Sequence, residues 1–120
     1  MNLAITAQGN ELNAPVEPRF GRAKYFIFVD TETGRFTVHD NGQNVNAPQG
    51  AGIQSAQAVA NLGAQTLLTG NVGPKALATL HAAGILVYVG VTGTVQQAVE
   101  VFRAGRLQLA AEATVAGHVA

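Results

Sequence analysis

Residues 66–105 write the same unit twice, and this duplication restricts the fold more than any other feature of the chain. The apolar run Thr66-Leu67-Leu68-Thr69 leads into the elbow Gly70-Asn71-Val72-Gly73, and Pro74 opens a helix that ends at Ala83-Gly84. Leu86-Val87-Tyr88-Val89, a second elbow Gly90-Val91-Thr92-Gly93 and a helix ending at Ala104-Gly105 repeat the order. Strand, Gly-x-x-Gly, helix and closing glycine, taken twice, predict a β-α-β-α core. The two elbows then lie side by side on one sheet edge, where helix N-termini gather.

The preceding sequence supplies the rest of the sheet. Residues 3–6 read as a first strand. Residues 7–22 hold Gly9, Asn10, Asn13, Pro15, Pro18 and Gly21, too many breakers for a regular element. They form a long ordered loop of the kind that carries function in compact domains. Residues 25–29 are a continuous aromatic and β-branched run, a strand buried on both faces. After a turn over 30–34, residues 35–39 alternate, with Phe36 and Val38 on one face and Thr37 and His39 on the other. Residues 40–52 are a second polar loop. A helix begins near Ala51, with Ile53, Ala56, Val59, Ala60 and Gly63 on one face. Val95, Ala98, Val99 and Phe102 make an i, i+3, i+4, i+7 stripe behind a capping box of Thr94 and Gln97. The expected architecture is α/β: a five-stranded mixed sheet with its first strand central, flanked by about three helices. One domain spans 1–107, and 108–120 is a C-terminal extension, with a short extended piece near 107–109 and a mobile tail after it.

Composition removes several function classes. Only 12% of the 120 residues are charged and the formal net charge is zero, which speaks against a nucleic-acid binder working through a basic face. The absence of cysteine excludes disulfides, thiolate ligands and thiol catalysis. The N-terminus has no signal-like pattern and no apolar run nears membrane-spanning length, so a cytoplasmic protein without membrane association is expected. The acids Glu11, Glu17, Asp30, Glu32, Asp40, Glu100 and Glu112 do not converge as a two-metal nuclease requires. His39, His81 and His118 show no ligand spacing, although His39 lies nearer the loop edge. Ser55 is the only serine and has no triad partners around it. No catalytic residue and no direct metal ligand is assigned.

What the ligand-bearing edge offers is backbone. Three helix starts leave unpaired N–H groups and partial positive charge, and the glycines at 50, 52, 70, 73, 90 and 93 would open those amides to a ligand. Arg19 and Arg22 add charged donors. An anion pocket of amides and arginines is one reading; tight strand-to-helix turns with solvated arginines is the other.

Phe20-Gly21-Arg22-Ala23 followed by Phe26 and Asp30 resembles the opening signature of the dinitrogenase iron-molybdenum cofactor family. Gly50-Ala51-Gly52-Ile53-Gln54, Gly70-Asn71-Val72-Gly73-Pro74, Ala83-Gly84-Ile85 with Val87-Tyr88, and Gly93-Thr94-Val95 with Ala98, Glu100 and Phe102 continue the match over about residues 3–107. The resemblance implies a ribonuclease H-like three-layer fold without nuclease activity, and binding, carriage or assembly of a metal-sulfide cluster. It also brings in small cysteine-free members that hold a molybdenum-copper sulfide cluster without covalent ligands. Many members carry histidine or cysteine just before Phe-Gly-Arg; here that position is Arg19. A preassembled anionic cluster held by charge, amides and apolar contact is therefore favoured, molybdenum-copper over iron-molybdenum. The cofactor-binding residues expected are Arg19, Phe20, Gly21, Arg22, Gly52, Gln54, Asn71, Gly73, Gly93 and Thr94. The function expected is non-enzymatic carriage or storage of that cluster. Alternatives are a module docking on a P-loop ATPase or on cluster-assembly proteins, and a binder of a phosphorylated metabolite.

Overall fold

The computed structural model describes residues 1–45 and 50–110. Strand β1 (Asn2–Ala7) is followed by a 3-10 turn (Phe20–Arg22), the hairpin β2 (Tyr25–Asp30) and β3 (Phe36–Asp40), and the one-turn helix α1 (Gly42–Val45). Then come α2 (Ala51–Asn61), β4 (Thr66–Leu68), α3 (Pro74–Ala82), β5 (Leu86–Val89), α4 (Val95–Arg103) and β6 (Gln108–Leu109). The strands form one sheet in the order β3-β2-β1-β4-β5-β6. β1 is antiparallel to β2 and parallel to β4, and β4 is parallel to β5. β3 reverses again against β2, so β1, β3, β4 and β5 all run the same way and end at the same edge. Of the extension 108–120, expected to end in a mobile tail from Ala110, residues 108–110 are instead held against β5, and residues 111–120 lie outside the described residues.

The sheet has two covered faces because its strands alternate between two cores. Ala4, Phe26, Phe28, Leu67, Val87 and Val89 pack with Ala56, Val59, Leu77 and Leu80 of α2 and α3. Leu3, Ile5, Ile27, Val29 and Leu68 pack with Val95, Ala98 and Val99 of α4 on the other side. Neighbouring residues of one strand thus serve opposite layers, as the two-residue period dictates. The α4 stripe completes itself through Phe102, whose ring meets Tyr88 edge-on at 5.4 Å. The Thr94–Gln97 box is present in both directions, at 3.1 Å and 2.9 Å.

Three expectations are corrected. The sheet has six strands: β6 pairs antiparallel with β5, and Ala110 donates to the Val87 carbonyl at 2.7 Å and is buried. Two exposed residues carry no period, so pairing with β5 is what makes them a strand. Four helices form among the described residues, because Asp40 caps a turn inside the polar loop by accepting from the Gly42 amide at 2.7 Å. The buried face of α2 is Ala51, Ser55, Ala56 and Val59, while Ile53 is only half-buried. Buried Asn41 explains the shift: it donates to the carbonyl of Ala23 at 2.9 Å and to the Ser55 hydroxyl at 3.0 Å, turning that side of α2 inward.

The loop from β1 is stitched along the carboxyl edge by backbone bonds. The amides of Val95 and Gln96 donate to the carbonyls of Ala14 and Leu12, and Val16 donates to Gly93. Further on, Asn71 donates to Pro18 at 2.7 Å and accepts from Phe20 at 3.1 Å. Phe20 then plugs the core, 2% exposed and stacked on Phe26. The crossing is so close that a Cβ on Gly70 would lie 2.5 Å from the Pro18 carbonyl oxygen and 2.6 Å from its Cα. Gly70→Ala should therefore destabilise the protein by about 1–3 kcal/mol through overpacking against backbone. A denaturant midpoint lowered together with faster amide exchange at Asn71 and Phe20 would show it; an unchanged midpoint would mean that the loop moves aside freely.

Candidate functional site

A cleft of about 840 Å³ opens at the carboxyl edge, between the Phe20–Arg22 turn and the starts of α2 and α3. Such a volume lies within the range of small-molecule sites. Each wall has a local cause. Gly50 adopts a left-handed φ of 74° as the residue before α2, a conformation that costs glycine little. Pro74 occupies the first turn of α3, where its missing N–H is no loss. No side chain caps either helix, and first-turn residues of both line the cleft, at the positive ends of the helix dipoles. The Asn71-Val72-Gly73 elbow joins the walls and is tied to Pro18 and Phe20 as described above.

Glycine works here chiefly for protein packing. A Cβ on Gly21 would lie 3.1 Å from the Gly52 backbone, and one on Gly52 would meet the Ala76 Cβ at 3.3 Å. The missing side chains let the turn, α2 and α3 close on one another.

Of the residues expected from the sequence, Arg19, Phe20, Gly21, Arg22, Gly52, Asn71 and Gly73 line this cleft. Gln54, Gly93 and Thr94 do not. The Gln54 amide is spent on the Gly50 carbonyl at 2.9 Å, the first bond inside α2. At α4 the amides that an anion would use are taken: Val95 and Gln96 by the loop carbonyls, Gln97 by the Thr94 hydroxyl. Two helix starts serve the cleft, and the third is sealed. Residues 46–49, part of the polar loop expected between Asp40 and Gly52, lie outside the described residues.

The structure adds Gly50, Ala51, Ile53, Val72, Pro74, Lys75 and Ala76 to the lining. Lys75 was legible in hindsight as the residue after a helix-opening proline at the ligand-bearing edge. Ile53 was hidden because its spacing also fitted the buried face of α2.

Among the described residues, three cations, Arg19, Arg22 and Lys75, therefore border the cleft and no carboxylate or imidazole lines it, in a chain of zero net charge. Its other contacts are largely apolar, from Phe20, Ile53, Val72, Pro74 and Ala76. Arg19 is further engaged from outside: its amide donates to Glu17 Oε2 at 3.0 Å, with its Nε 4.0 Å from the same oxygen. His39 is turned away, 3.2 Å from the Thr37 hydroxyl and with its ring against Phe28. His81 is exposed on α3, and Ser55 is buried beneath Asn41. His118 lies outside the described residues. Among the described residues no group of three His, Cys, Asp or Glu side chains is arranged to hold a metal ion, and no helix is long and apolar enough to cross a membrane.

The chain is a mixed α/β domain with a basic, glycine-walled cleft at the carboxyl edge of its sheet. The dinitrogenase iron-molybdenum cofactor family model matches residues 1–105, and the chain belongs to that family. Similar structures include the apo form of the orange protein from Desulfovibrio gigas, 45% identical with a TM-score of 0.92, covering 95% of this chain and 96% of that one. A Thermotoga protein of the DUF35 family, described as a candidate NifB protein, is 39% identical with a TM-score of 0.84, covering 97% of this chain and 98% of that one. An uncharacterized Methanocaldococcus jannaschii protein is 31% identical over 110 residues, 90% of each chain.

The sealed third helix start separates stability from binding. Thr94→Ala should cost about 1 kcal/mol of stability by removing the cap and leave anion affinity at the cleft unchanged. Chemical denaturation alongside an anion titration checks both; a clear loss of affinity at full folding would return Thr94 to the site.

Proposed function

We propose that this protein binds and carries an anionic molybdenum-containing metal-sulfide cluster, held without covalent ligands in the cleft between the Phe20–Arg22 turn and the starts of α2 and α3, and that it catalyses no reaction. The observation that carries this reading is the donor set: three cations and two helix starts without side-chain caps beside apolar residues, with no acid or histidine among the described lining residues. Each exposed charge or helix end contributes only about 0.3–1 kcal/mol toward an anion, so retention requires several acting together.

The apolar part of the lining favours one kind of anion. Phosphate is strongly hydrated, and the half-buried faces of Ile53 and Pro74 offer no replacement for its lost water. A cluster coated with sulfides is polarisable and weakly hydrated, so it gains from the same surface while its charge meets Arg19, Arg22 and Lys75. Family membership supports the link to iron-molybdenum cofactor chemistry. The chain has no cysteine to hold an iron-sulfur cluster by thiolate, which favours a molybdenum-copper sulfide made before it binds. Strand order β3-β2-β1-β4-β5, with β2 alone reversed, supports the ribonuclease H-like arrangement implied by the resemblance. Without converging acids in the cleft, we take that arrangement as a carrier scaffold. Cluster-assembly proteins or an ATPase of that pathway are the partners to which such a carrier would give or from which it would receive cargo, within the cytoplasm.

Adding tetrathiomolybdate and copper to purified metal-free protein should yield a visible chromophore that co-elutes with it. Arg19→Ala, Arg22→Ala and Lys75→Ala should each weaken retention about two- to fivefold at low ionic strength, with losses compounding in combination and shrinking as salt screens the charges. A protein that stays colourless would refute the proposal. Displacement of the chromophore by millimolar phosphate would point instead to a phosphorylated metabolite.

A further inference from the structure

Among the described residues no acid lines the cleft, yet one stands just outside it. The Glu17 amide donates to the Thr6 carbonyl at 2.9 Å, and the Glu17 carbonyl accepts from the buried Thr6 hydroxyl at 2.8 Å. The Thr6 hydroxyl also lies 3.0 Å from that of Thr69, so Glu17 is anchored to β1 and, through it, to the residue that follows β4. Its side chain is 12% exposed, against 68% for Arg19. The carboxylate is the fixed member of the pair and the guanidinium the movable one. Only Arg19 lines the cleft.

Resting on the reading of the cleft as an anion site, we infer that Glu17 is a positioning residue: an internal counter-ion that holds the Arg19 guanidinium at the rim and releases it to an anion entering the cleft. Two contacts give Glu17 this role. The hydrogen bond to the Arg19 amide, at 3.0 Å, fixes the backbone of the limb and survives the exchange. The contact with Nε, at 4.0 Å and made by the solvated Arg19 side chain, is the part that is given up. At that distance and with one partner in water the ion pair is weak, so the exchange is inexpensive, but it sets a threshold. A multiply charged anion outbids the single charge of Glu17 by Coulomb attraction, whereas a singly charged one competes on near-equal terms. Glu17 thus biases a shallow basic cleft toward highly charged cargo.

The test is a tetrathiomolybdate titration of the wild type, Glu17→Gln, Arg19→Gln and the double variant, at low and high ionic strength. Glutamine keeps an acceptor for the Arg19 amide and removes only the charge. Glu17→Gln should bind about two- to fivefold tighter at low salt, with an unchanged denaturation midpoint. The gain should shrink at high salt and vanish in the Arg19→Gln background. Chloride should compete more strongly in Glu17→Gln than in the wild type. In the ligand-free protein, the Arg19 Nε–H NMR signal should shift on Glu17→Gln, and in the wild type it should move when tetrathiomolybdate is added. Affinity that is equal or weaker in Glu17→Gln, a gain that persists without Arg19, or an Nε–H signal indifferent to residue 17 would overturn the inference while leaving the anion site intact. A wild type that binds no tetrathiomolybdate would overturn the anion site itself, and this inference with it.

Discussion

Two backbone hydrogen bonds at Asn71, one given to Pro18 and one accepted from Phe20, hold together the parts on which the cleft depends. They join the loop leaving β1 to the elbow between β4 and α3, which are far apart in sequence. Once that join is made, Phe20 enters the core against Phe26, and the turn behind it presses Gly21 onto Gly52 at the start of α2. Pairing of backbone groups suits this task. The backbone donors and acceptors that a loop covers must be satisfied somewhere, and here they are satisfied by the elements that the loop has to position.

The same demand explains why three similar helix starts are not equivalent. The loop crosses α4 first, and its carbonyls at Leu12 and Ala14 take the amides of Gln96 and Val95. By the time it reaches α3 it runs beside the elbow rather than over the helix end. Pro74 and Lys75 there, and Ala51 and Gly52 on α2, remain on the cleft. Charge follows from the same path: Arg19 and Arg22 ride on the loop, and Lys75 waits on the helix it passes. A chain of zero net charge thereby gathers three cations around one partly apolar cleft, and a site emerges that bulk composition would not suggest.

Much of this was readable beforehand where local pattern and tertiary environment agree. The 66–105 duplication, the stripe of Val95, Ala98, Val99 and Phe102, and the Thr94–Gln97 box all appear as read, because each is a short-range periodicity or a fixed spacing. The alternation of β1 and β2 between two cores follows from the pleat. Reading failed where one residue had two acceptable neighbours. Ile53 fits a buried stripe on spacing, yet the Asn41–Ser55 hydrogen bond rotates α2 so that Ile53 borders the cleft. β6 is too short to show a period and exists through pairing with β5. Gln54, Gly93 and Thr94 sat at motif positions, but their backbone groups were already committed within the fold.

By itself the sequence determined the order of elements, the alternation that sends each strand to two layers, the concentration of helix starts at one edge, and the absence of thiolate chemistry. These depend on residue type and on spacings of a few positions, which act before any long-range contact forms. Tertiary structure decided which helix starts stay open, which glycines serve packing rather than a turn, and that Lys75 joins Arg19 and Arg22 while Glu17 stands behind them. Most of those outcomes turn on which groups meet across long stretches of intervening chain, as Gly21 meets Gly52 and Ala14 meets Val95. A backbone amide reads the same in sequence whether a carbonyl or a ligand will occupy it, and only the path of the β1 loop distinguishes the two.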